Sequence, residues 1–422
     1  MTIAFLASRK GYLKVMGSLI QASLDRGHGV VLLDRDTEKT GEAATPADFA
    51  HWPRARVVGR RPDEPILPLL QRERVDALVG PSLHFLLSRT ELGSEIDAIR
   101  RAGIRLYSVD YSFETLTSDA DGYRVIDVTF YSSEYQRRLH WSVLESDFAR
   151  LPADVDMNAR SAVCGSTMLD QLARVDRAAV KRALGLDAGR PVVLLMSLKM
   201  MVPEPWRRYV WGGEPAVLRA LHAATHGRAR LVPEILRGNG YRTLVTALRR
   251  FCERAGATLV VKSREKNRDP AFLRDEADVF VEKDADVFPY TSMQLMAVAD
   301  LCVHFQSGAV LEAAFCDVPS LSIQVPQTHL ESYPGFRESF GGEPGSLQNF
   351  PGIVWLVPAD RAPAWLDGRT IADFAVDPVA RRDYVNRFLG FGDTCSSERV
   401  LDVIERDARL SHRPGPEAAR PG

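Results

Sequence analysis

The sequence predicts an α/β protein made of two doubly wound parallel-sheet domains of similar size that face each other across a cleft. Short, nearly all-apolar runs alternate with amphipathic stretches of helical period, the pattern left by strands that helices bury on both faces. The alternation restarts after a polar stretch at residues 154–160. The 422 residues leave room for two such units at ~100–200 residues each.

In the first half, residues 2–7 read as a buried strand, followed by a loop at 8–11 and a helix that stops at Gly27. Further strands are expected at 30–33, 56–58, 77–79, 105–109 and 128–132, with helices around 66–74 and 92–101. The second half opens with Val163-Cys164, then Gly165-Ser166 and a helix expected over 168–184. Strands at 192–198, 258–263 and 279–282 follow, with a helix at 241–255 between the first two. Thr291-x-x-Gln294 has the form of a capping box for a helix ending near Ala299. The last strands lead into His304, open at Pro319, and span 353–357. Residues 199–233 are irregular and hold Trp206, Trp211, His222 and His226. They read either as a functional insertion after a strand's carboxyl end or as an excursion that packs its tryptophans on the domain. The expected division is 1–160, 161–380, a returning carboxy-terminal helix at 381–410, and a disordered Pro-, Gly- and Arg-rich tail at 411–422.

Composition narrows the function classes. Lysine and arginine total 54 against 55 acidic residues, a net charge of −1, so no overall basic field argues for nucleic acid or an anionic membrane. No apolar run reaches the ~18 residues of a membrane span, and the first residues have too short an apolar core for a signal peptide. Five scattered cysteines without Cys-x-x-Cys spacing are expected to be reduced, buried thiols of a cytoplasmic protein, and no zinc spacing is present.

The most informative segment is HFQSGAVLEAAFCDVPSLSI, residues 304–323. It reads as strand, polar turn, two-turn helix and strand. Ser307 is placed to cap the helix and Gly308 to let a ligand approach the first helical N–H groups. Glu312, four residues after Gly308, shares its helix face. A phosphate at the helix start and a sugar hydroxyl one turn later suit this pattern, although Ser-Gly before a helix is also ordinary capping. Gly165-Ser166 is a second phosphate candidate. Lys262, Arg264 and Lys266 alternate at a strand end, where cations would neutralise a diphosphate or simply meet solvent. In the first half, His84, Asp110 and Glu114 follow strands and are candidate bases, although each reads more readily as a helix cap or a satisfied loop residue. His28 reads as structural, and His304 as a strand residue beside the site.

Four segments together resemble a known group. SGAVLEAAFCDVPSLSI is similar to the SG-x-x-x-EA-x-x-x-x-x-P motif of GT-B-fold enzymes that handle nucleotide sugars, and VCGSTMLDQL to the V-x-G-x-x-x-x-D-x-L segment opening their second domain. YVNRFLGFGDTCSSERVLDVI resembles their carboxy-terminal G-D-x-x-x-S-x-R helix, and SLIQASLDRGHGVVLL their first helix and R-G-H-x-V turn. The resemblance implies two Rossmann-like domains, an amino-terminal acceptor domain and a carboxy-terminal nucleotide-sugar donor domain. It covers glycosyltransferases, UDP-N-acetylglucosamine 2-epimerases and CDP-glycerol glycerophosphotransferases. The epimerases' G-D-T and H-R-x-E-N turns correspond here to LVGPSLHF and LLMSLKMMVPEP, which lack the aspartate and the histidine. The glycerophosphotransferases' aspartate-tyrosine-serine turn corresponds to His304-Phe305-Gln306-Ser307. The ranking that results is a metal-independent bacterial glycosyltransferase first, in glycan or secondary-metabolite biosynthesis. An epimerase-like or glycerophosphotransferase-like enzyme follows, and a non-catalytic nucleotide binder comes last. No cofactor is implied beyond the NDP-sugar donor, UDP-linked among others. The expected partners are that donor and a small acceptor, with a homodimer left open.

Overall fold

The computed structural model describes residues 1–35, 43–60, 64–83, 92–110, 125–143, 156, 158–197, 205–212, 214–237, 240–263, 269–325 and 341–411. Among the described residues, thirteen strands form two parallel sheets. The first contains β1 (Thr2–Leu6), β2 (Gly29–Arg35), β3 (Arg56–Arg60), β4 (Ala77–Pro81), β5 (Arg105–Val109), β6 (Val128–Tyr131) and β7 (Ser161–Val163), ordered β3-β2-β1-β4-β5-β6-β7. The second contains β8 (Val192–Met196), β9 (Thr258–Lys262), β10 (Val279–Val281), β11 (Leu301–His304), β12 (Ser320–Gln324) and β13 (Val354–Pro358), ordered β10-β9-β8-β11-β12-β13. Winding reverses beside β1 in one sheet and beside β8 in the other, and ligands of such sheets bind beyond the carboxyl ends at that point.

The helices used below are α1 (Lys10–Asp25), α2 (Glu134–Val143), α3 (Ala216–Thr225), α4 (Val232–Leu236), α5 (Tyr241–Ala255), α6 (Thr291–Val298), α7 (Ala309–Phe315), α8 (Pro378–Phe388) and α9 (Ser396–Ser411). Strand alternation sends neighbouring side chains to opposite layers. Ile3 and Phe5 bury with Leu19 and Trp52 on one side of the first sheet, while Ala4 joins Val31, Leu78 and Ile99 on the other. In the second sheet Val193, Leu195 and Val261 meet Leu248 and Phe251 of α5, and Leu194, Val260 and Cys302 face Leu295 and Met296 of α6. The continuous apolar strands of the sequence are therefore core on both faces.

Several expectations change. Residues 161–163 pair with β6 in the first sheet, Thr129 opposite Ser161, so that sheet extends past the boundary expected at 160. Three half-buried residues are too few to show a period. The helix expected over 168–184 breaks into a 3-10 turn at Leu169–Arg174 and a helix at Arg177–Ala183, because the Asp176 carboxylate accepts from the Ala179 N–H at 3.0 Å and starts a new helix. Thr291 forms no capping box. Its hydroxyl accepts from the Asp286 N–H at 3.1 Å, and Tyr290 occupies the N-cap position of α6. In the irregular stretch, Trp211 is buried with its ring centroid 5.8 Å from those of Tyr241 and Phe305, which is the packing alternative. Cys164, Cys252 and Cys302 are buried free thiols, whereas Cys395 is exposed. His84, Glu114, Arg264, Lys266 and the tail from 412 lie outside the described residues.

The last described helix, α9, packs against the first sheet's core. Val400, Leu401 and Ile404 of α9 bury in the core that includes α1. Arg26 pairs with Asp402 at 2.9 Å and Glu405 at 3.1 Å, and the Tyr107 hydroxyl donates to Asp407 at 2.6 Å. No helix among the described residues is long and apolar enough to cross a membrane.

Candidate functional site

The two domains meet through side chains at the carboxyl edges of their sheets. After β1 the chain turns into α1, whose Lys10 and Lys14 are four apart and share a face. Lys14 forms an ion pair with Glu312 of α7, in the second domain, and its ammonium lies 5.3 Å from the Tyr290 ring centroid. The other Glu312 oxygen accepts from the Ser292 hydroxyl at 3.1 Å. The Lys14 and Glu312 side chains are 20% and 4% exposed, so water screens the pair poorly.

Lys262, the last residue of β9, lies beside this pair. Its ammonium is 3.1 Å from the Asp284 carboxylate and donates to the Ser263 carbonyl at 2.7 Å. Lys10 donates to the Asp284 carbonyl at 3.3 Å and the Tyr290 hydroxyl to its carboxylate at 3.0 Å. Gln171 closes the arrangement, accepting from the Tyr290 N–H at 2.8 Å and donating to the Lys14 carbonyl. Among the described residues, the ammonium groups of Lys10, Lys14 and Lys262 gather along this seam, a setting that suits an anionic group held between the domains.

The expected donor residues divide. Glu312 is central, and Lys262 is buried with its charge directed at Asp284 rather than projecting from the strand end. The Ser307 hydroxyl accepts from the Ala309 N–H at 3.3 Å, while Gly308 is the N-cap. Gly308 is exposed, and a Cβ there would meet nothing within 4 Å, so its backbone opens onto free space. The preceding Gln306 holds φ +43°. Its turn is fixed by the Val325 N–H donating to its side-chain oxygen at 3.4 Å and by Gln348 donating to the Ser307 carbonyl at 3.3 Å. Buried His304 shapes the same turn, its Nδ1 accepting from the Ser307 N–H at 3.3 Å.

Gly165 and Ser166 are placed differently from the expectation of a phosphate site. Gly165 has φ +89°, and a Cβ would collide with the Ser396 hydroxyl, so this glycine seats the start of α9. Half-buried Ser166 offers its carbonyl to the Leu169 N–H at 3.0 Å and so starts the 3-10 turn. Asp170, four residues on, accepts from the Ser396 and Ser397 N–H groups at 3.1 and 2.6 Å. Burial pushes the Asp170 carboxyl above its usual range, with the Ser397 and Ser396 donors opposing. Because the folded value is raised, its contribution to stability is fullest at acid pH and declines as pH rises through that value. Asp170→Ala is expected to cost about 1–2 kcal/mol, the worth of a helix cap. The cost should be larger near pH 4 than at pH 7 in urea titrations, and an equal cost at both would contradict it.

In the first domain, Asp110 follows β5 and is buried. Its carboxylate lies 2.8 Å from His140 Nδ1 on α2 and accepts from the Ser82 hydroxyl at 3.1 Å. The His140 ring stands edge-on to Tyr131, centroids 5.4 Å apart. Of the three expected bases, only Asp110 is among the described residues, and its partner His140 was not foreseen. A histidine in an amphipathic helix thirty residues from its aspartate carries no sequence signal. Lys10 and Lys14 did leave one, an i,i+4 lysine pair directly after the first strand.

No family model matches this sequence, and no curated protein matches it. Solved structures do. Over 96% of this chain and 100% of theirs, it superposes on the UDP-GlcNAc 2-epimerase of Methanocaldococcus jannaschii (TM-score 0.58, 12% identity) and on that of Neisseria meningitidis bound to UDP-GlcNAc (TM-score 0.57, 10% identity). Over 98% of this chain and 90% of the other, it superposes on the wall teichoic acid polymerase TagF (TM-score 0.56, 10% identity). At such identities the likeness shows the fold, which is the GT-B arrangement of two Rossmann-like domains.

Proposed function

We propose that this chain is a nucleotide-sugar enzyme that transfers a sugar from an NDP-sugar donor to an acceptor bound by the first domain. The observation that carries this is the charged seam in which Lys14 of the first domain meets buried Glu312 of the second, with Lys262 and the open backbone at Gly308 nearby. The diphosphate would lie at the start of α7 and beside the lysines, and Glu312 would accept from a donor hydroxyl. The leaving diphosphate is stabilised by fixed cations and N–H dipoles that need no reorganisation. The acceptor hydroxyl must lose a proton, and His140 backed by Asp110 is the described group suited to receive it.

Incubation with a panel of NDP-sugars, with and without sugar and lipid-linked acceptors, tests the proposal when NDP is followed by mass spectrometry. Transfer predicts NDP release only with an acceptor. Release or an altered sugar without one supports an epimerase or hydrolase instead, and binding without turnover reduces the chain to a nucleotide binder.

A further inference from the structure

Seven large hydrophobic side chains are exposed among the described residues, and four of them lie on α3 and α4: Val217 at 71%, Leu218 at 54%, Leu221 at 59% and Leu236 at 55%. The first three sit at i, i+1 and i+4 on one side of α3, whose other side buries Arg219, Ala220 and Ala223. The two helices pack on each other, so the apolar side chains lie on one helical hairpin. A surface like this on an otherwise well-packed domain marks an interaction site.

The stretch of sequence around it is basic. Residues 205–254 hold ten arginines and three glutamates, with no lysine or aspartate, a net +7 in a chain whose net charge is −1. Between α3 and α5 lies a cavity of about 680 Å³, lined among others by Arg219, Arg242, Arg250 and Arg254. Arg219 spends its guanidinium on the Tyr209, Val210 and Glu214 carbonyls, and Arg254 on the Leu366 carbonyl and Asp367. Arg242 and Arg250 are exposed and make no ion pair among the described residues. Buried aromatic and aliphatic residues hold the hairpin to the second domain, so this charge is presented on a rigid base.

We infer that the α3–α4 hairpin docks the enzyme on an anionic phospholipid surface, with Leu218 and Leu221 entering the acyl boundary and Arg242 and Arg250 meeting headgroup phosphates. An interfacial element needs both apolar and basic side chains, since neither contribution alone anchors stably. A second copy of the chain fits less well, because a two-fold contact on this face would bring its arginines against each other. The inference is independent of the reaction catalysed in the cleft.

Flotation of the full chain with phosphatidylcholine vesicles, with and without phosphatidylglycerol, provides the test. Binding is expected only to the anionic vesicles and should weaken as salt rises. The double variants Leu218→Asp/Leu221→Asp and Arg242→Gln/Arg250→Gln should each reduce it by about tenfold or more. All four positions are exposed, and unchanged thermal melting would confirm intact folding. No binding to anionic vesicles, or equal binding to neutral ones, would overturn the inference. So would a concentration-dependent dimer that the leucine pair abolishes, or binding to soluble polyglutamate without binding to vesicles.

Discussion

Replacing Glu312 with alanine is expected to weaken nucleotide-sugar binding by about tenfold to hundredfold, the worth of one charge-assisted hydrogen bond. It should also destabilise the fold by about 3 kcal/mol. The second effect follows from the surroundings: Glu312 is buried, Lys14 is 20% exposed, and removal of the carboxylate leaves that lysine and the Ser292 hydroxyl without their partner. Breaking a buried pair from one side costs about 3–5 kcal/mol, and the partial exposure of Lys14 sets the lower end of that range. Titration calorimetry with UDP and other nucleoside diphosphates reads the first effect, and urea unfolding the second. A double-mutant cycle of Lys14→Met with Glu312→Gln adds a check on geometry, since residues in one ion pair show non-additive losses. Unchanged affinity in Glu312→Ala would remove the donor site from this seam, whatever happened to stability.

His140→Asn should lower kcat by about 10²–10⁴-fold, the range for a general base, while donor affinity stays unchanged. The Asp110 carboxylate lies 2.8 Å from His140 Nδ1 and would hold the ring in place. Asp110→Asn is therefore expected to reduce kcat in the same direction. A purely structural histidine would move melting temperature and leave the kcat of the folded enzyme unchanged. Unchanged kcat in folded His140→Asn would sink the assignment and return the pair to core packing.

Legibility differed between the scaffold and the site. The strands were visible because parallel strands under helices must be apolar on both faces, as the β4 and β8 runs Ala77–Pro81 and Val192–Met196 are throughout. Glu312 and Lys262 could be named because strand-end and helix-start positions follow from local periodicity. Their partners could not. Lys14 and Glu312 are separated by 298 residues, and their meeting depends on how two domains dock. The Gly165-Ser166 turn, expected to receive a phosphate, depends on a distant contact in the same way. A glycine with positive φ before a helical turn suits a phosphate loop as well as a seat for a distant helix, and the approach of Ser396 and Ser397 to Gly165 and Asp170 shows the second.

By itself the sequence determined the α/β class with two parallel sheets and most of its buried strands, because burial period acts over a few residues. The tertiary structure alone decided which charges share the cleft, that Asp110 is matched with His140, and that the irregular stretch buries Trp211 while turning leucines and arginines outward. Those outcomes depend on contacts between distant residues, whose energies exist only once the chain has closed over tens to hundreds of positions.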